Sequence, residues 1–231
     1  MSILKNIPIK YKGELHDVKL INFSVDMKEV KSLVPEGIPV LDVNGRAMIS
    51  MVDVVLKKMH PAFVPEQFCF NYRHIAFRLL VDDRKYNAEP KGIYFLRSFT
   101  DRPLIVQGGK WFTHYNLETA ELESFENMLE LKQKNCFLNY AFRDKSPVIK
   151  NESLKQKIGR IDRAYSQNGN QLQYVQIVRE KWPIEWIDCY HFQTNFFKTA
   201  QLECAFKIAE PVYYEWLPPQ NVNYGHQLIT T

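Results

Sequence analysis

Cysteine is scarce in this sequence, at four residues in 231: Cys69, Cys136, Cys189 and Cys204. None has a partner at the short spacing by which paired thiolates grip zinc, and all sit beside apolar neighbours, so they read as buried free thiols. The six histidines are dispersed, with no pair at helical or strand spacing. No metal site and no cofactor are therefore expected. Long hydrophobic runs are also missing. No stretch approaches the roughly 18 apolar residues of a membrane span, and the start, Met1-Ser2-Ile3-Leu4-Lys5, is not the apolar core of a secretory leader. Nor is there a basic stripe, because the 30 Lys and Arg against 26 Asp and Glu are scattered along the chain. These absences argue against nucleic-acid and membrane partners and point to the cytoplasm.

Aromatic side chains are abundant. Phe, Tyr and Trp make up 13% of a chain that is 45% hydrophobic, and such rings suit strands and enclosed pockets. The length supports one sizeable core and is short for two full domains. A single domain over residues 1–219 is expected, followed by a polar tail, 220–231, beyond Pro218 and Pro219.

From Leu15 to Val25 the chain predicts a strand. Asp26-Met27-Lys28-Glu29 then has the form of a capping box, so a helix is expected to about Val34, stopped by Pro35 and Gly37. Asn44-Gly45 is a strong hairpin signal feeding a strand from Ala47 to Leu56. Between Cys69 and Val81, Tyr72, His74, Ala76 and Leu80 alternate with Ile75, Phe77, Leu79 and Val81, a pattern with both faces at least half buried. Gly92 to Phe99 repeats it, and another strand is expected from Pro103 to Gly108-Gly109. The segment Leu117 to Lys134 has helical composition without helical spacing, which leaves its structure open. Cys136 to Phe142 alternates as a strand, and the Gln167–Asn170 turn joins two more. Many short strands, few helices and no strand–helix rhythm predict an α+β, mainly β fold. Its antiparallel sheet would curl or close, with a few peripheral helices.

The most informative stretch runs from Gly92 through Phe95, Arg97 and Phe99 to Pro103, then through Gly108-Gly109-Lys110-Trp111 to His114-Tyr115. It resembles the YqjF-like family of uncharacterised proteins, within the acetoacetate-decarboxylase-like superfamily. Val34-Pro35-Glu36-Gly37 and the pair Asn71 and Arg73 extend the likeness over roughly the first 125 residues. The resemblance implies a curved, cone-like or barrel-like sheet around a pocket, with helices outside. In the decarboxylase the glycine-led segment ends in Tyr-Pro-Lys-Lys, and the first lysine forms a Schiff base with the substrate ketone. A second cation helps keep that amine unprotonated. Matching Gly109 and Tyr115 to that pattern puts Asn116 at the proline, Leu117 at the nucleophile and Glu118 at its partner. Neither amine is present, so Schiff-base decarboxylation is not expected.

Other residues compete for a role. Lys110 lies near the lost nucleophile, but an exposed lysine is the plainer reading. Tyr115 is similar in position to the family's pocket mouth, with a core tyrosine as the alternative. His114 has a suitable chemistry for a general base but no carboxylate at a recognisable spacing. Glu118 is an acid candidate, and His16 aligns near an arginine of the decarboxylase pocket. Asn71 and Arg73 share a strand face, where the arginine can bind a carboxylate through two parallel bonds or pair with a protein acid such as Glu66 or Asp101. Trp182, Trp186, Tyr190, Phe192, Phe196 and Phe197 read as packing rings. The leading expectation is a small anionic or carbonyl-bearing ligand held by Asn71, Arg73, Tyr115 and His16. Rival readings are an enzyme of other carbonyl chemistry using Glu118, His114 or Tyr115, and a structural or partner-binding domain with a filled pocket. Self-association is compatible with all three.

Overall fold

The computed structural model describes residues 8–86, 88–112, 117–147, 150–180 and 182–222, with the backbone alone at 110–112. The chain opens with a long strand, β1 (Tyr11–Asp26), and a short helix, α1 (Met27–Lys31). The hairpin β2 (Asp42–Val43) and β3 (Arg46–Pro61) follows, then β4 (Phe70–Val81) and β5 (Gly92–Thr100). The β2–β3 turn is the expected one. Asn44 and Gly45 take φ of 55° and 80°, the left-handed pair such a turn requires, and the Gly45 amide donates to Asp42 Oδ1 at 2.7 Å.

After helix α2 (Pro103–Phe112) come β6 (Leu117–Thr119), β7 (Glu121–Phe125), β8 (Met128–Gln133) and β9 (Cys136–Arg143). Helix α3 (Glu152–Gly159) leads to the hairpin β10 (Arg163–Asn168) and β11 (Gln171–Arg179). The remaining strands are β12 (Ile184–Thr194), β13 (Gln201–Ile208), β14 (Val212–Trp216) and β15 (Gln220–Asn221).

Seven strands close a barrel in the order β3-β4-β5-β10-β11-β14-β1, with β1 returning to β3. Pairing is antiparallel except between β5 and β10 and between β5 and β6. Strand β1 serves two layers. Tyr11–Leu15 pair with β14, whereas Lys19–Ser24 pair with β13. The change of partner falls at a bulge between His16 and Lys19, where Asp17 takes a positive φ of 47°. An extra residue bends a strand and increases its twist, and here that bend carries β1 out of the barrel. From β13 the sheet continues through β12, β9, β8 and β7, and these strands fold over the barrel's outer wall.

Both faces of the shared strands are therefore buried. Leu20, Val52, Val54, Ala76, Leu80 and Ile93 pack inside the barrel. Ile21, Phe23, Ile49, Met51, Ile75, Phe77 and Phe99 pack outward against Leu131, Leu138 and Tyr140 of the second layer. Phe77 meets Phe23 and Phe99 edge-on, each at 6.1 Å. Burying each ring stabilises by about 1.5–3 kcal/mol. This second layer explains the nearly continuous apolar runs of β1, β3 and β4, which a sheet with one wet face would not carry.

Three expectations are corrected. The segment after Pro103 is helix α2, because proline is preset for a first helical turn and a three-residue apolar run cannot distinguish helix from strand. Helix α1 ends at Lys31, short of Val34, and no capping box forms: Asp26 makes no side-chain cap. Instead Glu29 accepts from the amides of Lys198 and Thr199 at 2.6 and 3.0 Å and from the Thr199 hydroxyl, while Thr199 Oγ1 accepts from the Asp26 amide at 2.8 Å. Tertiary donors replace the local ones.

The open segment 117–134 is three short strands, with Glu126 at φ 47° in the β7–β8 turn. Leu129 and Leu131 are both buried in the second layer, and that period-two burial overrides helical propensity. Helix α3 is capped by the Asn151 side chain accepting from the Leu154 amide at 3.0 Å. It buries Leu154 and Ile158 against the barrel core. Gln220 and Asn221, the first residues of the polar tail, pair with β11. All four cysteines are free thiols, and only Cys204 is fully buried. Among the described residues, no helix is long and apolar enough to cross a membrane.

Candidate functional site

The even-numbered side chains of β4 face into the barrel, and two of them are polar. His74 and Arg78 sit in a face otherwise made of Phe70, Tyr72, Ala76 and Leu80. They line a small internal cavity of about 70 Å³ whose walls also include Val54, Phe95, Trp216 and, from the far side, Arg179 and Trp182.

His74 is 7% exposed. Burial, assisted by the positive charge of Arg78, lowers its pKa to about 3, so it is a neutral imidazole at physiological pH. Arg78 donates from Nε to the Ser50 carbonyl at 3.0 Å and from Nη2 to Ser50 Oγ at 2.9 Å, which holds its guanidinium against β3. Arg179 comes from the last position of β11. It donates to the Gly159 carbonyl at 2.9 Å and to the Ile161 carbonyl, closing the end of α3, and lies 4.0 Å from the Trp182 ring centroid. Burial lowers its pKa to about 10, with Asp162 acting in the opposite sense, and it stays charged at neutral pH. The described wall thus carries two guanidinium groups and a histidine among apolar side chains, and no carboxylate. Such a wall favours anions, because charges interact more strongly where water is excluded.

The residues singled out from the sequence lie elsewhere. Asn71 and Arg73 do share a face of β4, but it is the outer one. Arg73 donates through Nε and Nη2 to the two oxygens of Asp53 at 2.7 and 2.6 Å, and its Nη2 lies 3.7 Å from Asp17. Tyr140 of the second layer donates its hydroxyl to the same Asp53. Arg73 therefore takes part in a seam between barrel and outer layer. Its partner is neither Glu66 nor Asp101. Asn71 Oδ1 accepts from the Lys58 amide at 2.8 Å, beside a bulge where Lys58 takes φ 53°. His16 pairs with Glu14 at 2.8 Å.

Strand register places Leu117 opposite Ser98 on the barrel side of the sheet, where it is buried, and Glu118 opposite Phe99 on the outer side. Glu118 accepts from Arg97 at 3.0 Å and from Gln133 at 2.8 Å, and Arg97 in turn lies over Phe99 and Phe196. His114, Tyr115 and the side chain of Lys110 lie outside the described residues. None of His16, Asn71, Arg73 and Glu118 lines the barrel cavity. Among the described residues, no three His, Cys, Asp or Glu side chains gather as a metal would need.

His74, Arg78 and Arg179 were missed as site residues. The first two had a legible signal: polar side chains recurring on an apolar face of a strand buried on both sides. Arg179 had none, since only barrel closure brings the end of β11 opposite β4.

The barrel-plus-layer architecture recurs in solved structures. An acetoacetate decarboxylase from Legionella pneumophila superimposes with a TM-score of 0.61 at 12% identity, covering 94% of this chain and 87% of that one. The enduracididine biosynthesis enzyme MppR, complexed with the condensation product of pyruvate and imidazole 4-carboxaldehyde, superimposes with a TM-score of 0.58 at 10% identity, covering 95% and 91%. At such identities the likeness is one of fold. In sequence, the chain is 26% identical over 180 residues to the uncharacterized protein YqjF of Bacillus subtilis (strain 168), covering 74% of this chain and 73% of that protein. Residues 12–216, nearly the whole barrel and its outer layer, match the profile of one family, and the chain belongs to it: the uncharacterized conserved proteins of domain of unknown function 2071.

Proposed function

We propose that this protein binds a small anionic or carbonyl-bearing metabolite inside the barrel, in the cytoplasm, without Schiff-base decarboxylation. One observation carries the reading: Arg78, Arg179 and neutral His74 converge on an internal cavity whose described wall has no acid. A guanidinium about 4 Å from a carboxylate contributes about 4 kcal/mol at an effective dielectric constant near 20. The cavity, at about 70 Å³, leaves room only for a very small acid. The MppR complex, with a pyruvate-derived product bound on the same fold, supports a keto acid as the ligand class.

Decarboxylation through an imine needs an unprotonated amine on the barrel face, and the aligned position is Leu117. General-base catalysis is also poorly served. A histidine held at about 3 is a weak proton acceptor at neutral pH, which favours binding over turnover.

Thermal-shift titration with acetate, pyruvate and acetoacetate tests the binding half. Saturation at a hundredfold above Kd adds about 2.7 kcal/mol, which raises Tm by about 5–10 °C. No shift with any acid would sink the reading. Borohydride reduction in the presence of acetoacetate tests the chemical half, where a trapped lysine adduct would contradict it.

A further inference from the structure

The barrel cavity shares part of its wall with a second space. Ile161, Ile177, Arg179 and Trp182 line it and also line a groove of about 740 Å³ on the protein surface. This groove runs between helix α3 and the end of β11. Its floor is an apolar strip of Ile161, Ile177, Pro183 and Ile184, and its rim carries charges of both signs, including Lys155, Glu152 and Asp162. The internal space admits only a very small molecule, whereas the groove admits a longer one.

Trp182 lines both, and its indole Nε1–H is buried without a hydrogen-bond acceptor among the described residues. A donor buried without a partner is destabilising, so an acceptor supplied by a ligand would be rewarded. Beside it lies the Arg179 guanidinium, packed on the Trp182 ring and using two of its donor atoms on backbone carbonyls of the α3 terminus. A guanidinium has five N–H donors in a planar fork, so others remain to meet an oxygen anion. An uncharged donor and a cation side by side form a receptor for a carboxylate, which has two oxygens to offer.

From this juxtaposition we infer that the protein's ligand is a monocarboxylic acid with an apolar body. The carboxylate is received by Trp182 Nε1–H and Arg179 on the shared wall, and the body lies along the Ile161–Ile184 strip of the groove. The inference rests on the reading of the barrel as an anion site and extends it, naming the ligand's shape and the residues that select it. Trp182 is the specificity-determining residue, because it supplies the uncharged donor, which phenylalanine in its place removes while leaving an aromatic ring.

The experiment uses the full chain with acetate, octanoate and octanamide as probes, in wild type and Trp182→Phe. Octanoate should bind wild type about tenfold or more tightly than acetate, because each buried methylene adds to affinity. Octanamide should bind about tenfold or more weakly than octanoate, since a hydrogen bond to a charged group is stronger than one to a neutral one. Trp182→Phe should weaken octanoate by a similar factor and octanamide little. A second measurement does not depend on the variant's stability. Of the four tryptophan indole signals in the proton NMR spectrum, the Trp182 signal should shift on adding octanoate to wild type. If acetate binds but octanoate gains nothing, or if the Trp182 signal stays still, the receptor on the shared wall is refuted while the barrel reading stands. If wild type binds neither acid, both fall together.

Discussion

Replacing Arg73 with methionine separates a structural role from a recognition role for the residue that the sequence offered as the ligand's anchor. The guanidinium holds both oxygens of Asp53 at 2.7 and 2.6 Å, and Asp53 is 0% exposed. Removing the cation leaves a buried carboxylate with the Tyr140 hydroxyl as its remaining described side-chain partner. Breaking a buried pair from one side costs about 3–5 kcal/mol, which for a chain of this length lowers Tm by about 6–20 °C. The double variant Asp53→Leu with Arg73→Met should lose less than Arg73→Met alone, because it leaves no stranded charge. Urea unfolding at neutral pH, run on both variants, measures the two costs. A loss below about 1 kcal/mol for the single variant, or a double variant that is worse, would refute the argument. The same proteins test placement of the site, since folded Arg73→Met should keep its affinity for small acids. Lost binding with the fold intact would return Arg73 to the ligand.

Two further predictions concern other buried polar groups. His74 has a folded pKa of about 3 against an ordinary 6.5, so above about pH 6.5 both states are neutral and it has no pH effect. As pH falls from there toward 3, the unfolded chain takes up a proton that the native state refuses, and stability is lost at about 1.4 kcal/mol per unit. Urea unfolding at pH 7, 6 and 5 should show that slope flattened in His74→Gln, and parallel curves would contradict the burial argument. Glu29 is the latch between α1 and the segment before β13. Burial works against its ionisation, but bonds from Thr199 and Lys198 outweigh it and hold the carboxyl below its ordinary range. Glu29→Ala should destabilise by about 1–3 kcal/mol and speed amide exchange at Lys198 and Thr199, whereas unchanged exchange there would remove the latch.

Much of the fold was written locally. The Asn44-Gly45 and Gly169-Asn170 turns depend on backbone conformations that only a few residue types adopt cheaply. The alternation of Cys69–Val81 and Gly92–Phe99 marked two strands, the first with both faces at least half buried. Leu117 and Glu118 at the aligned positions of the two lysines were also legible from the sequence alone. Tertiary structure decided what local preference could not. It turned the helix-prone stretch 117–134 into strands, because a second layer needed Leu129 and Leu131 on one face. It diverted Glu29 from its own helix to a segment about 170 residues away. It sent Arg73 outward to Asp53 and His74 inward, a choice that rests on which side of β4 the barrel closes. The cavity itself belongs wholly to this level: Arg78 and Arg179 are about a hundred residues apart in the chain, and only the ring of strands makes them one wall.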